Sequence, residues 1–503
     1  MTDLFSRSPT AVPKPLRPYQ ERALELLRAT ILSGRRRPIL ALPTGAGKTR
    51  LAAEIIRGAL AQSRTVIFIV PRLSLIEQAV RDFEAEGIFD IGVKQGRHHR
   101  TDSAAAVQIA SAQTLARRDD RPRSDIVIVD ECHIQHQHLI DWIENPEFKE
   151  TLFIGLSATP WSRGLGRTYD ALLQPISIAE LIETDFLSRL RVFAPEGPDL
   201  GDVRLTAGEY NEGDLSKACD KKELTANIVE TWKRRAAGFP TLCYGVDRRH
   251  AQHLQERFIE AGIVAEYLDC ETPLFDREDV FDRFRAGRTR IICNVATLDT
   301  GINLPDVRCI IDARPTRSRI RFVQTIGRGL RPAPGKERLL VLDHAGNTAR
   351  LGLVTEIGCN CLDKGEERGK AYDRAKGSEP VIITCKQCDC VLPRRARECP
   401  ACGEPIFATT EVIEKDGELV ELGATRARRE RGPDIDQALW FGALTRIGRE
   451  RGYKRGWPAA MFKARFGRWP PRNFLPSERE PTVEIRNWVR SRQIAFAKAR
   501  ARA

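Results

Sequence analysis

The sequence predicts an α/β fold: two tandem parallel-sheet units, then a small four-cysteine module and a basic, mainly helical C-terminal domain. Three observations carry that prediction. Short Val/Ile/Leu runs alternate with helix-like segments twice over in residues 15–355. Two Cys-x-x-Cys pairs follow, Cys385/Cys388 and Cys399/Cys402. Beyond residue 425 the composition turns basic. Continuous apolar strands between helices imply sheets covered on both faces, which is the parallel arrangement.

The first unit, residues 15–190, carries strands at Ile39–Leu42, Thr65–Val70, Ile126–Val129 and Leu152–Leu156. Residues 191–224, with Gly201, Gly208 and Gly213, form the connection to a second unit at 225–355. Its strands are Thr241–Gly245, Arg290–Asn294, Arg308–Asp312 and Arg338–Asp343. The polar stretch 359–380 reads as a linker. The cysteine module spans 381–406, and the last domain spans 434–503, broken at Trp469-Pro470-Pro471.

At 503 residues, with 42% apolar and 30% charged side chains, the chain is long enough for several globular domains and is not disordered. No apolar run reaches the ~18 residues of a membrane span, and Met1–Pro15 has no apolar signal core. A cytoplasmic protein without a membrane partner is expected. Thirteen cysteines in that setting argue against disulfides. Cys243, Cys293 and Cys309 sit in apolar strands as small core residues. The net charge of +13 is concentrated: Arg426–Ala503 holds 20 Lys/Arg against 7 Asp/Glu, a balance of +13, so the first 425 residues are neutral overall. Four of the seven tryptophans (Trp440, Trp457, Trp469, Trp488) lie in the same segment. Basic charge interleaved with aromatics suits a polyanion, nucleic acid first. Those aromatics read first as the core of a small helical domain, with base-stacking platforms as the alternative.

Chemistry concentrates in a few motifs. Leu42-Pro43-Thr44-Gly45-Ala46-Gly47-Lys48-Thr49 lies between an apolar strand and a helix, the setting of a phosphate-binding loop. The backbone of Thr44, Gly45, Ala46 and Gly47 can turn N–H groups onto a triphosphate, helped by the helix N-terminus. Lys48 would reach the β/γ-phosphates of ATP and Thr49 would hold Mg2+. Leu42 stands where the general pattern has its first glycine. Asp130-Glu131-Cys132-His133 ends another strand; Asp130 is placed to hold Mg2+ and Glu131 to polarise an attacking water. Ser157 and Thr159 follow a third strand, where their hydroxyls can bond His133. In the second unit Arg328 and Arg331 are three apart and share a helix face, an arrangement that can stabilise a transferring phosphoryl group. Cys385-x2-Cys388-x10-Cys399-x2-Cys402 supplies four thiolates for a structural Zn2+, with Cys390 as a fifth nearby thiol.

In this order the motifs resemble those of the superfamily 2 helicases and translocases, over about residues 15–345. The resemblance implies two RecA-like domains with ATP between them. Leu16-Arg17-Pro18-Tyr19-Gln20 is similar to the adenine-reading motif, which implies base contacts from Arg17 and Gln20. Asp130–His133 matches the family's DExH element. His133, Ser157, Thr159 and Gln324 are then implied to couple nucleotide state to the second domain. Pro71-Arg72-Leu73 and Ala110-Ser111-Ala112-Gln113-Thr114-Leu115 resemble elements that grip a nucleic-acid backbone. This assigns Pro71, Arg72, Ser111, Gln113 and Thr114, with Gly245 and Thr297 in the second unit, to that role. Thr300–Pro305 resembles the ribose-contacting element, implying nucleotide contacts from Gly301 and Asn303, with Asn where Asp is usual. Ala158–Gly166, Gly301–Val307, Leu342–Asn347 and the cysteine module are most similar to the bacterial RadD family of DNA-repair proteins. That implies DNA as partner, single-stranded or branched, with RNA open, and a repair or recombination protein bound through the C-terminal third. An ATP-switched binding protein and the motor subunit of a restriction system stay open as alternatives.

Overall fold

The structure, a computed structural model, describes residues 15–96, 98–194, 198, 200–206, 208–220, 222–295, 304, 306–365, 383–393, 396–406, 435–466, 469–471, 478–481 and four further positions up to 492. Residues 1–409 form one compact unit and 410–503 another.

Within the first unit lie two parallel sheets. Seven strands make the first: β1 (Pro38–Ala41), β2 (Val66–Val70), β3 (Ile91–Lys94), β4 (Val107–Ser111), β5 (Ile126–Val129), β6 (Leu152–Ser157) and β7 (Ala171–Leu173). Their spatial order is β3-β4-β2-β5-β6-β1-β7, so β5 and β6 fill the space between β2 and β1, and β4 lies between β2 and the edge strand β3. Each of β1, β2, β4, β5 and β6 is buried along its whole length, as sheets with helices on both faces require. Helix α1 (Pro18–Leu32) precedes β1 and helix α2 (Lys48–Leu60) follows it.

The second sheet contains β8 (Arg189–Phe193), β11 (Thr241–Tyr244), β12 (Ala265–Leu268), β13 (Ile291–Asn294), β14 (Cys309–Asp312) and β15 (Arg338–Asp343), in the order β12-β13-β11-β14-β15-β8. Between β8 and β11 a two-stranded ribbon, β9 (Leu205–Thr206) and β10 (Glu209–Tyr210), packs on this domain through Glu209, whose carboxylate accepts from the Thr316 hydroxyl and the Arg317 N–H. Strand β8 straddles the expected 190/191 boundary and pairs with β15, so the crossing between domains comes before Arg189. Helix α3 (Arg248–Glu260) follows β11, and helix α4 (Arg319–Gly329) follows β14.

Two stretches after β15 differ from a free linker. Residues 359–365, expected to be linker, return to the first domain. Asp363 O accepts from Gly166 N at 2.8 Å, Lys364 O accepts from Arg167 Nε at 2.6 Å, and Leu362 packs into the cluster around Trp142 and Tyr169. The apolar Leu362 within a polar stretch is what seats it. The cysteine module, with β16 (Ile383–Thr384) paired to β17 (Val391–Leu392), docks beside β8, the edge of the second sheet. Cys385, Cys390, Leu392 and Cys399 share a core with Phe193, Trp232 and Leu342. Covering β8 removes an exposed sheet edge.

In the C-terminal unit, helices α5 (Ile435–Glu450) and α6 (Trp457–Phe466) pack around Trp440, Leu444, Ile447 and Phe462. The aromatics of this unit therefore divide. Trp440 and Phe462 are core, and Trp457 and Phe466 pack partly buried against them. Trp469 is 58% exposed and Tyr453 37% exposed.

Candidate active site

Strands β5, β6 and β1 are neighbours, so the loops leaving their C-terminal ends converge, where parallel sheets bind ligands. The loop after β1 depends on two glycines in left-handed backbone, Gly45 (φ 88°) and Gly47 (φ 83°). At Gly47 a Cβ would also lie 2.6 Å from Gln20 Nε2. Lys48 opens α2, with Thr49 half-buried beside it. The Lys48 ammonium lies 2.7 Å from Glu131 Oε1. Glu131 itself is left-handed at φ 48°, a conformation that costs a non-glycine residue ~1 kcal/mol and tends to cluster at working sites. With the backbone so turned, the carboxylate lies between Lys48 and His133, Oε2 being 3.2 Å from His133 Nδ1.

The electrostatics suit a cation. Burial first, and the charge of Glu131 second, push the Asp130 carboxyl up to about 6. Burial acts on Glu131 in the same sense, but Lys48 and His133 outweigh it and hold that carboxyl well below the usual range. Burial opposes the Lys48 charge, yet the two carboxylates win and raise its pKa. Two adjacent carboxylates against one ammonium leave negative charge in a buried place. Asp130, beside Glu131 in the chain, and the hydroxyl of Thr49, beside Lys48, are oxygen donors of the kind a Mg2+ ion prefers.

On the base side, contacts within the chain tie this motif to the phosphate loop. Gln20 donates from Nε2 to Ala46 O at 3.2 Å and accepts from Arg17 N at 3.0 Å. Both ends of its amide are thus engaged with the chain, and Gln20 braces the phosphate loop. Tyr19, a residue the sequence reading did not single out, does the same, its hydroxyl donating to Ala46 O at 2.9 Å. The Arg17 guanidinium sits 4.8 Å above the ring of Phe186, which comes from the crossing between domains and gives no local signal in sequence.

The coupling residues meet. His133 Nδ1 is 2.9 Å from Ser157 Oγ. Gln324 Nε2, from α4 of the second domain, lies 3.2 Å from His133 Nε2 and 3.4 Å from Thr159 Oγ1. Ser162 Oγ donates to His133 O at 2.7 Å. The same helix and the turn after it approach the phosphate loop closely: a Cβ on Gly327 would be 3.0 Å from Thr44 Cβ, and one on Gly45 would be 3.3 Å from Arg331 Cγ. The helix ends at Gly329, so Arg331 lies in the turn beyond it and does not share a helix face with Arg328 as the spacing predicts. Burial, then the like charge of Arg328, lowers the Arg331 pKa. Cys132 is accommodated by a specific partner: a Cβ on Gly155 of β6 would lie 2.7 Å from its sulfur.

Of the residues assigned to a nucleic-acid backbone, Arg72 and Gln113 are exposed. Pro71, Ser111, Thr114 and Gly245 are buried and frame them. Ser111 is an N-cap, accepting from Thr114 N at 3.0 Å, so it orients Gln113 and has no surface for a ligand. Gly245 lets α3 approach, since a Cβ there would be 2.9 Å from the Ala251 backbone. Thr297, Gly301 and Asn303 lie outside the described residues. A cleft of about 1090 Å³ separates Arg72 and Ser74 of the first domain from Arg248, Arg249, Asp269 and Arg277 of the second.

In the module, the sulfurs of Cys385, Cys388, Cys399 and Cys402 all lie within 4.8 Å of one another. Cys385–Cys402 and Cys388–Cys399 are each 3.6 Å apart. Zn–S bonds of ~2.3 Å in a tetrahedron give S···S of about 3.8 Å, and disulfides need ~2.05 Å, so the donor set fits a tetrathiolate metal site. Cys390 is buried, bonds the backbone at Val391 O (3.5 Å) and stands outside the four. Cys359 and Cys361 are also outside it; Cys359 accepts from Gln174 on the first domain.

Comparison with known proteins agrees with this geometry. Residues 13–162 match the family described as "Type III restriction enzyme, res subunit", and residues 220–333 match the "Helicase conserved C-terminal domain". The helicase-named protein IRC3 of Saccharomyces cerevisiae is 28% identical over 365 residues, covering 68% of this chain and 52% of its own. A 51.5 kDa protein of a Lactococcus phage is 25% identical over 379 residues, covering 74% of this chain and 79% of its own. This chain therefore spans about half the length of the yeast relative. A solved fragment described as an HsdR subunit of a type I restriction enzyme from Vibrio vulnificus YJ016 shares the fold, with a TM-score of 0.52 at 20% identity, covering 67% of this chain and 65% of its own. Two matched regions in this order, on two tandem parallel sheets, make the chain similar to the helicase-type ATPases of superfamily 2.

Proposed function

We propose that the protein is a RadD-like DNA translocase or helicase, acting on single-stranded or branched DNA in repair or recombination. The observation that carries the motor reading is the unbroken chain of contacts from Lys48 through Glu131 and His133 to Gln324 of the second domain. In this reading the backbone of Thr44–Gly47 and the Lys48 ammonium hold the ATP phosphates. Asp130 and Thr49 hold Mg2+, which neutralises phosphate charge when bound. Glu131 takes a proton from the attacking water, and Arg328 and Arg331 stabilise the charge that develops on the γ-phosphoryl group. Once that group has gone, Glu131 and His133 shift together. Gln324 and the Ser157/Thr159 hydroxyls report the change to the second domain, and the cleft beside Arg72 changes width. Arg17 and Gln20 set the loop under the base, and Gly301 and Asn303 complete the nucleotide site from the second domain.

Two further parts anchor the motor. Cys385, Cys388, Cys399 and Cys402 hold a structural Zn2+ that keeps the module folded on β8. The C-terminal unit offers Trp469, with the Lys463 ammonium 4.6 Å from its ring, and the exposed Lys454 and Arg455 beside Tyr453. These suit base stacking and phosphate contacts. DNA is favoured by the RadD likeness and by the charge of this unit.

A second reading, the motor subunit of a restriction system, is favoured by the family match of residues 13–162. One experiment separates the readings: ATP hydrolysis by the purified chain, alone and with single-stranded, duplex and forked DNA or RNA, at two salt concentrations. Stimulation by DNA over RNA, weakening with salt, is the expected result. Stimulation by RNA alone would replace DNA as the polymer. A chain that hydrolyses ATP only after partner subunits are added supports the restriction reading.

A further inference from the structure

The turn carrying Arg331 is held from two sides. Helix α4 ends at Gly329, and the last carbonyls of a helix need partners from elsewhere. Pro334 and Gly335, the latter at φ 70°, reverse the chain so that Lys336 N donates to Ala333 O at 3.0 Å and its side chain runs back beneath the helix end. The Lys336 ammonium donates to Gly329 O at 2.5 Å and Arg331 O at 2.6 Å. From the opposite side Ser188, in the crossing between domains, donates from its backbone to Leu330 O at 2.8 Å and from its hydroxyl to Arg331 O at 3.2 Å. Three successive carbonyls, those of residues 329, 330 and 331, are thereby fixed.

We propose that Lys336 and Ser188 are positioning residues that clamp the Arg331 turn against the phosphate loop. This rests on the proposed role of Arg331. A cation at a helix C-terminus is favoured by the helix dipole, and a guanidinium that acts only in the transition state must be placed before the reaction begins. Ser188 links the clamp to domain motion: a shift in the crossing pulls on the same carbonyl that Lys336 holds.

The clamp is sensitive to protonation. Burial, opposed by Asp306 and reinforced by the charges of Arg308 and Arg331, lowers Lys336 to about 7. The ammonium is therefore held at acid pH and is lost as pH rises through about 7.

The test is polymer-saturated ATP hydrolysis between pH 6 and 9 by the wild type, Lys336→Met, Lys336→Arg, Ser188→Ala and Arg331→Ala. Lys336→Met is expected to lower kcat by about 10- to 100-fold while moving KM for ATP less than about threefold. Ser188→Ala should show a smaller loss in kcat. Lys336→Arg, charged throughout, should restore most of kcat at neutral pH and abolish the wild-type decline above pH 7. Full kcat in Lys336→Met, or an alkaline decline in Lys336→Arg equal to the wild type's, overturns the proposal. If Lys336→Met fails to fold, the pH profile of Lys336→Arg decides. Arg331→Ala separates the layers. Full activity there removes the underlying role of Arg331, whereas inactive Arg331→Ala beside a normal Lys336→Met refutes the clamp alone.

Discussion

The Lys48–Glu131 centre and the four-thiol cluster are two places where ligand-type side chains gather, and they are built in opposite ways. At the first, charge is buried on a rigid sheet end, with a carboxyl pushed up to about 6 and a left-handed glutamate. The scaffold around it is large enough to impose that strain. At the second, short turns bring four sulfurs together at the spacing a metal requires, next to a two-stranded ribbon too small to fold on its own side chains. One site spends fold stability on chemistry. The other, in the proposed function, draws stability from a bound metal.

The largest effect that would break this contrast is on chemistry. Glu131→Gln should keep the folded spectrum and lower polymer-stimulated kcat by about 10³-fold, and Lys48→Ala should do at least as much, read by phosphate release. Next comes the cation. Protonating Asp130 competes with Mg2+, so the Mg2+ concentration for half-maximal rate should rise about tenfold for each pH unit below 6. The sign follows from a raised folded pKa: the Asp130 proton stabilises the folded protein below the unfolded value near 4, and that contribution is lost as pH rises through about 6. A Mg2+ requirement flat from pH 5 to 8 would count against the assignment.

Two smaller effects sharpen it. Stripping Zn2+ from the module should lower the melting temperature by roughly 5 °C and leave ATP hydrolysis without polymer within about threefold of the loaded protein. A tenfold loss of that basal rate would join the two sites that the contrast keeps apart. Gly155→Ala should cost about 1–3 kcal/mol in denaturant melts, because its Cβ meets Cys132, Tyr169 and Ile39. Adding Cys132→Ala should recover part of it.

What was legible follows from local physics. The central strands β1, β2, β5, β6, β11, β13, β14 and β15 are continuous apolar runs, and their bounds agree with expectation to within about two residues. In the two large sheets, the strands not anticipated are the sheet edges β3, β7, β8 and β12, with β4 beside one of them. An edge strand such as Arg189–Phe193 keeps polar residues because one side faces solvent or a late-arriving module. The phosphate loop and acidic motif stand out because each is contiguous. The brace from Tyr19, the inversion at Glu131, the Gly155 recess and the hold of Ser188 on Arg331 depend on residues far apart in the chain or on a backbone angle. No window of sequence contains them.

The central claim is that nucleotide state reaches the second domain through the His133–Gln324 contact. The most direct measurement is a double-mutant cycle on polymer-stimulated ATP hydrolysis with His133→Ala, Gln324→Ala and both. The account predicts that each single change lowers stimulated kcat by about tenfold and that the double variant falls no further than the worse single. Losses that multiply, or a Gln324→Ala variant stimulated as the wild type is, would contradict it.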